Sequence, residues 1–215
     1  MNAATAVAFA IAGGFAVGDW VAKARSQRML EYVCKPATMV ALIVAAGVLD
    51  PAADAHTRRV WFVSALVFSL AGDVLLMLPQ DRFVPGLAAF LAAHVCYLVG
   101  FWSAGPTAGG FAIAVIVVVL VVAPLGRAIL GAIARAGLPA ELRIAVALYM
   151  TVISAMLATA LATGNVLAAV GAALFVASDS MIAWDRFVRR LAWAPVAIMV
   201  TYHLGQAGLV ASLLR

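Results

Sequence analysis

Eight long apolar stretches follow one another along the chain, each closed off by a few polar, proline or glycine residues. A helix needs about 20 predominantly apolar residues to cross the hydrocarbon of a bilayer. That measure predicts all-α structure with spanning helices over about 3–21, 32–49, 60–79, 85–103, 109–126, 141–162, 165–183 and 192–213. The breaks have physical causes. Lys23, Arg25 and Arg28 separate the first two stretches, Asp50-Pro51 and Arg58-Arg59 the next, and Pro79 with Asp81-Arg82 follows the third. Gly105-Pro106 and Gly109-Gly110 come after the fourth, Arg127, Arg135 and Pro139 after the fifth, Thr163-Gly164-Asn165 after the sixth, and Asp185 to Arg190 after the seventh. Connections this short make neighbouring helices antiparallel, so a polytopic membrane bundle forming one integral membrane domain over 1–215 is expected. Gly14-x-x-x-Gly18 has the small-residue spacing that lets helices approach closely in lipid. The first stretch has no basic segment before it, and reads as a spanning helix rather than a cleaved signal.

Composition adds exclusions. Of the residues, 67% are hydrophobic and 11% charged, against roughly 25% charged in soluble domains, and the mean hydropathy is +1.12. So few charges could not cover a water-facing surface. The net charge of +5 sits in short loops rather than along one face, which argues against nucleic acid as a partner. Cys34 and Cys96 lie in apolar helical surroundings without metal-ligand spacing, and read as small buried hydrophobes. No metal or other cofactor is expected.

Charge also orients the bundle. Of the 14 Lys and Arg, all but Arg58, Arg59 and Arg215 fall at the odd-numbered connections and their edges. By the positive-inside rule those connections are cytoplasmic and both termini lie outside. A bacterial-type plasma (inner) membrane is the expected location. Trp20, Trp61, Trp102, Trp184 and Trp193 fall at segment ends, as an interfacial aromatic belt would place them.

Against this background two residues stand out: Asp73 in VFSLAGDVLLML and Asp179 in ALFVASDSMIAW. A carboxylate at bilayer depth costs at least about 2.5 to 3.5 kcal/mol even on the lenient insertion scale, so it is rarely there without a task. Both segments run toward the cytoplasm, and each aspartate lies about six residues before its connection, at a depth of about 9 Å. His94 should lie slightly deeper in the fourth segment, and His203, with Tyr202 and Gln206, near the middle of the eighth. Lys35 opens the second segment beside Pro36, where it can pair with an aspartate, contact a phosphate or snorkel to the headgroups. Asp19 and Glu31 read as solvated or paired with Lys23 and Arg28. The polar groups thus gather in the cytoplasmic half, as in a pocket open to one face. The order Phe68, Asp73, Asp81-Arg82-Phe83, His94 is echoed by Phe175, Asp179, Asp185-Arg186-Phe187, His203. That echo suggests a parallel 4+4 repeat with its site between the halves.

Cys34-Lys35-Pro36, Gly72-Asp73-Val74-Leu75-Leu76-Met77 and Gly86-Leu87…Phe90…His94…Tyr97 form one ordered set of motifs. Leu174 to Ser180, which includes Ser178 and Asp179, then Arg186-Phe187 and Tyr202…Gln206, complete it. Together they resemble the lysoplasmalogenase-like (YhhN) family of eight-helix membrane proteins, from the second segment to the eighth. The resemblance implies hydrolysis of the vinyl ether of a lysoplasmalogen, releasing a fatty aldehyde and a glycerophospho-ethanolamine or -choline. It puts the family's two intramembrane aspartates on Asp73 and Asp179. After Tyr202 the family usually carries another aromatic where this chain has His203, so the resemblance gives His203 no catalytic role.

The residues suit that chemistry. A vinyl ether is hydrolysed by protonating the alkene carbon distal to oxygen, leaving an oxocarbenium ion that water attacks. One carboxyl held neutral and one ionised carboxylate can divide this work, as in glycoside hydrolysis. The expected catalytic pair is Asp73 and Asp179, with Lys35, His94, Ser178, Tyr202, His203 and Gln206 as substrate-binding candidates. Two other classes share some of these features: a proton-coupled transporter of small molecules or lipids, and a non-catalytic lipid-binding membrane protein. A transporter would need polar residues continuing into the outer half, where segments four to six offer little beyond Ser103, Thr151 and Ser154.

Overall fold

The computed structural model describes residues 1–52, 55–80 and 82–214. Asp81, a member of the suggested repeat, and Arg215, counted in the charge bias, lie outside the described residues. Eight helices follow in order: α1 Ala3–Ala24, α2 Arg28–Val48, α3 His56–Met77, α4 Phe83–Trp102, α5 Ala108–Arg135, α6 Ala140–Ala162, α7 Val166–Phe187 and α8 Ala194–Ala211. Each is long and apolar enough to cross a membrane, and the protein is an all-α integral membrane bundle.

Local chemistry sets the helix starts. Asn2 Oδ1 accepts the Thr5 N–H at 2.8 Å, and Asn165 Oδ1 accepts from Leu167 and Ala168, satisfying donors that a helix start leaves orphaned. The α6–α7 turn passes through Gly164 at φ +69°, a conformation in which a Cβ would be strained.

The fifth helix departs from the sequence reading. Arg127 and Arg135 were expected in a connection, but α5 runs 28 residues to Arg135, about 42 Å at 1.5 Å per residue. This exceeds the roughly 30 Å of hydrocarbon, so the arginines sit on the last turns of a helix longer than the bilayer core. Arginine has good helix propensity and reaches water with its head, so charge alone did not end the helix.

The charged ends of the helices gather together. Lys23 pairs with Glu31 at 2.5 Å across α1 and α2, and Arg186 at the end of α7 lies over Phe83 at the start of α4. At the opposite end Ala52 N–H donates to the Leu213 carbonyl, and Asn165 Nδ2 to that of Ser212.

Hairpins α1–α2, α3–α4 and α7–α8 are the tightest pairs, while α5–α6 is looser. The closest seam is glycine-lined. A Cβ on Gly171 would meet Leu209 N at 2.8 Å and Gly205 O at 2.9 Å, so the backbones of α7 and α8 touch. Gly14, by contrast, has nothing within 4 Å, and of that pair only Gly18 packs, against Cys34 Sγ. Of the expected Gly14-x-x-x-Gly18 pair only Gly18 serves close packing, and backbone-to-backbone contact lies instead at Gly171, Gly205 and Gly208.

Candidate functional site

The two aspartates occupy separate cradles built on the same plan. Asp73 on α3 takes the Lys35 ammonium from α2 at 3.0 Å and the Tyr202 hydroxyl from α8 at 2.6 Å. Asp179 on α7 takes the Tyr149 hydroxyl from α6, and its Oδ2 lies 3.2 Å from His94 Nε2 on α4. Each aspartate is thus held by the preceding helix of its own half and by the last helix of the other half. Tyr149 has one proton, which goes to Asp179, so the 3.3 Å contact between Tyr149 and His94 Nε2 assigns the ring N–H to Nε2. Asp179 Oδ2 carries both contacts, and Oδ1 makes no hydrogen bond among the described residues.

The surroundings differ. The Asp73 side chain is 1% exposed and that of Lys35 5%, a buried ion pair. The Asp179 side chain is 12% exposed and lies on the wall of an apolar cleft between α3, α4, α5, α6 and α7, together with Leu87, Phe90, Tyr149 and Val176. It is the one charged residue on that wall among the described residues.

An aromatic partition stands between the cradles. The Phe175 ring centroid lies 4.7 Å from that of His94 and 5.4 Å from that of Tyr202. Phe90 packs edge-on against both Phe175 and Tyr202. Gly72 makes room for it, since a Cβ there would come within 2.6 Å of the Phe90 ring. The two carboxylates share no hydrogen-bond partner among the described residues. The expected catalytic pair thus sits in two hydrogen-bonded cradles, with Phe90 and Phe175 packed against Tyr202 of one and Phe175 against His94 of the other.

Other expected residues fall elsewhere. Ser178 Oγ donates to the Ile198 carbonyl at 3.1 Å, tying α7 to α8 away from the cleft. Gln206 Oε1 accepts the Tyr97 hydroxyl at 2.5 Å. His203 was placed by the repeat where His94 stands in the other half, but Tyr202 takes that place. His203 Nδ1 instead accepts from Trp20 Nε1 at 3.1 Å, so the indole N–H of Trp20 is turned toward α8. Phe68 and Phe175, matched in the repeat, also diverge: the first is 43% exposed and the second fully buried. Of the three readings open to Lys35, the structure has the pairing with an aspartate: its ammonium is enclosed against Asp73. Asp19 was expected solvated or paired, yet it is fully buried, and its oxygens have no hydrogen-bond partner among the described residues.

Tyr149 was missed from the sequence. It lies in the apolar run Ala145 to Met150, and only its hydroxyl distinguishes it from a core aromatic. Among the described residues no group of three or more His, Cys, Asp or Glu is arranged to hold a metal ion.

Fold and site together define a polytopic membrane bundle with an intramembrane carboxyl group facing an apolar cleft. Residues 30–213 match the YhhN family, and the chain belongs to that family. Human lysoplasmalogenase TMEM86B (Homo sapiens) is 37% identical over 70% of this chain and 62% of its own length. The lysoplasmalogenases of Mycobacterium bovis and Mycobacterium tuberculosis are each 34% identical over 83% of this chain and 75% of theirs. The chain therefore spans less than two thirds of the human relative it matches. No solved structure matches it significantly.

Proposed function

We propose that the protein is a lysoplasmalogenase, hydrolysing the vinyl ether of an alkenyl glycerophospho-ethanolamine or -choline with Asp179 as the reacting carboxyl. The observation that carries this reading is the setting of Asp179: its Oδ2 is committed to Tyr149 and His94, and its Oδ1 is left to act in an apolar cleft. The similarity to lysoplasmalogenases supplies the substrate class.

The steps use one carboxyl group. Asp179, protonated on Oδ1, gives its proton to the alkene carbon distal to oxygen, and the π electrons form the new C–H bond. The resulting oxocarbenium ion faces the carboxylate just formed, whose charge steadies it in a low-dielectric setting. Water attacks the cationic carbon and yields a proton to Asp179, which is restored. The hemiacetal then collapses to a fatty aldehyde and the free glycerol hydroxyl. Tyr149 and His94 hold the carboxyl in place, and the apolar wall excludes water other than the reactant.

Asp73, catalytic in the sequence reading, becomes a positioning residue here. With Lys35 and Tyr202 it ties α2, α3 and α8 together behind Phe90, and Lys35 balances its charge. The phosphate role considered for Lys35 passes to another cation. The basic ends of the helices face the cytoplasm and both termini face outward, in a plasma (inner) membrane of bacterial type, the chain forming one membrane domain. The test is aldehyde release from a lysoplasmalogen by purified protein in detergent. Release at enzymatic rate is expected, and its absence across ethanolamine and choline forms overturns the reading.

A further inference from the structure

The Arg186 guanidinium lies 4.1 Å above the Phe83 ring centroid and 5.8 Å from that of Phe187, and both rings line the cleft. Arg186 is exposed, at the charged end of the bundle. It follows Asp179 on α7 by seven residues, about 10 Å along the axis and on the same helix face. A cation thus marks the charged end of the cleft, two turns from the reacting carboxyl.

The other side of the cleft has an outlet. Val122 and Met150 line both the cleft and a second apolar groove between α5 and α6. Met150 lies over Gly126, where a Cβ would meet its Cε at 3.1 Å. A flexible unbranched thioether at that point can swing aside with little penalty. Beyond it the groove runs along α5 from Val122 to Phe111, about 16 Å, past Val115, Val118 and Ser154. Cation, carboxyl and apolar groove come in the order of phosphate, vinyl ether and alkyl chain in a lysoplasmalogen.

We propose that the ligand lies in one direction in the bundle, with its phosphate at Arg186, its vinyl ether at Asp179 and its chain passing Met150 into the α5–α6 groove. This rests on the lysoplasmalogen reading of the same cleft. The planar guanidinium suits bidentate phosphate recognition, and the glycerol backbone separates phosphate from ether in the same sense as the two turns of α7.

The experiment uses uncleavable ligands, so that binding is read apart from chemistry: a 1-O-alkyl lysophospholipid with a saturated chain and the matching 1-O-alkylglycerol, titrated into purified protein in detergent. Arg186→Gln is expected to weaken the lysophospholipid about tenfold, as loss of a charge-assisted contact would, while leaving the alkylglycerol unchanged. Arg186→Lys, which keeps the charge but loses the planar fork, should fall between the wild type and Arg186→Gln. Ser154→Trp, which fills the groove, should weaken long-chain ligands and spare short-chain ones. Equal or absent effects of Arg186→Gln on the two ligands overturn the proposal, as does a Ser154→Trp effect independent of chain length. Aldehyde release by the wild type tests the parent reading separately.

Discussion

Two aspartates, one about one turn from the end of α3 and the other about two turns from the end of α7, have opposite surroundings. Asp73 is sealed with Lys35 and Tyr202, whereas Asp179 faces an apolar cleft with Tyr149 and His94 behind it. A sealed ion pair has its charge balanced and no room for substrate. A carboxyl whose donors converge on one oxygen can trade a proton through the other. Intramembrane depth marks both residues alike, and under the proposed function it is the surroundings that make one an anchor and the other the reacting group.

The comparison breaks most sharply at Asp179. Asp179→Asn keeps the size and the hydrogen bonds but has no proton to give, so aldehyde release should fall by about 10³-fold or more, with the thermal transition in detergent little changed. The opposite signature is expected at the other cradle. Lys35→Met leaves a buried carboxylate without its partner, and destabilisation of about 3–5 kcal/mol should appear in denaturation. Tyr149→Phe sharpens the contrast: it removes one donor from Asp179, and aldehyde release should drop by about tenfold to a hundredfold while stability falls by about 1 kcal/mol. Ser178→Ala, adjacent to Asp179 but bonded to the Ile198 carbonyl, should lower stability by about 1 kcal/mol and leave the rate unchanged.

Much of this was legible in the chain because membrane helices announce themselves. Every backbone polar group in lipid must be bonded within the helix or barrel, so long apolar runs gave all eight helices. The same energetics exposed Asp73 and Asp179, and pairing of Lys35 with an aspartate was among its readings. Other features depend on how a helix is rotated, which apolar sequence does not encode when most faces see lipid or protein alike. Asp19 turns inward for that reason, and Tyr202 rather than its neighbour His203 meets Asp73. Tyr149 was hidden because a phenol in an apolar run looks like packing until its partner is placed. The aromatic packing beside the Asp73 cradle rests on Phe90 lying against Gly72, a contact between two helices that neither segment reveals alone.

The most direct test of the asymmetry is aldehyde release by the charge-neutral pair variant Asp73→Asn/Lys35→Met, set beside Asp179→Asn, each shown folded by its thermal transition. Removing both members of a buried pair leaves no uncompensated charge, so the pair variant should fold and retain activity to within about tenfold of the wild type. Asp179→Asn should be nearly inactive. A folded pair variant as inactive as Asp179→Asn would contradict the account and make Asp73 a reacting group.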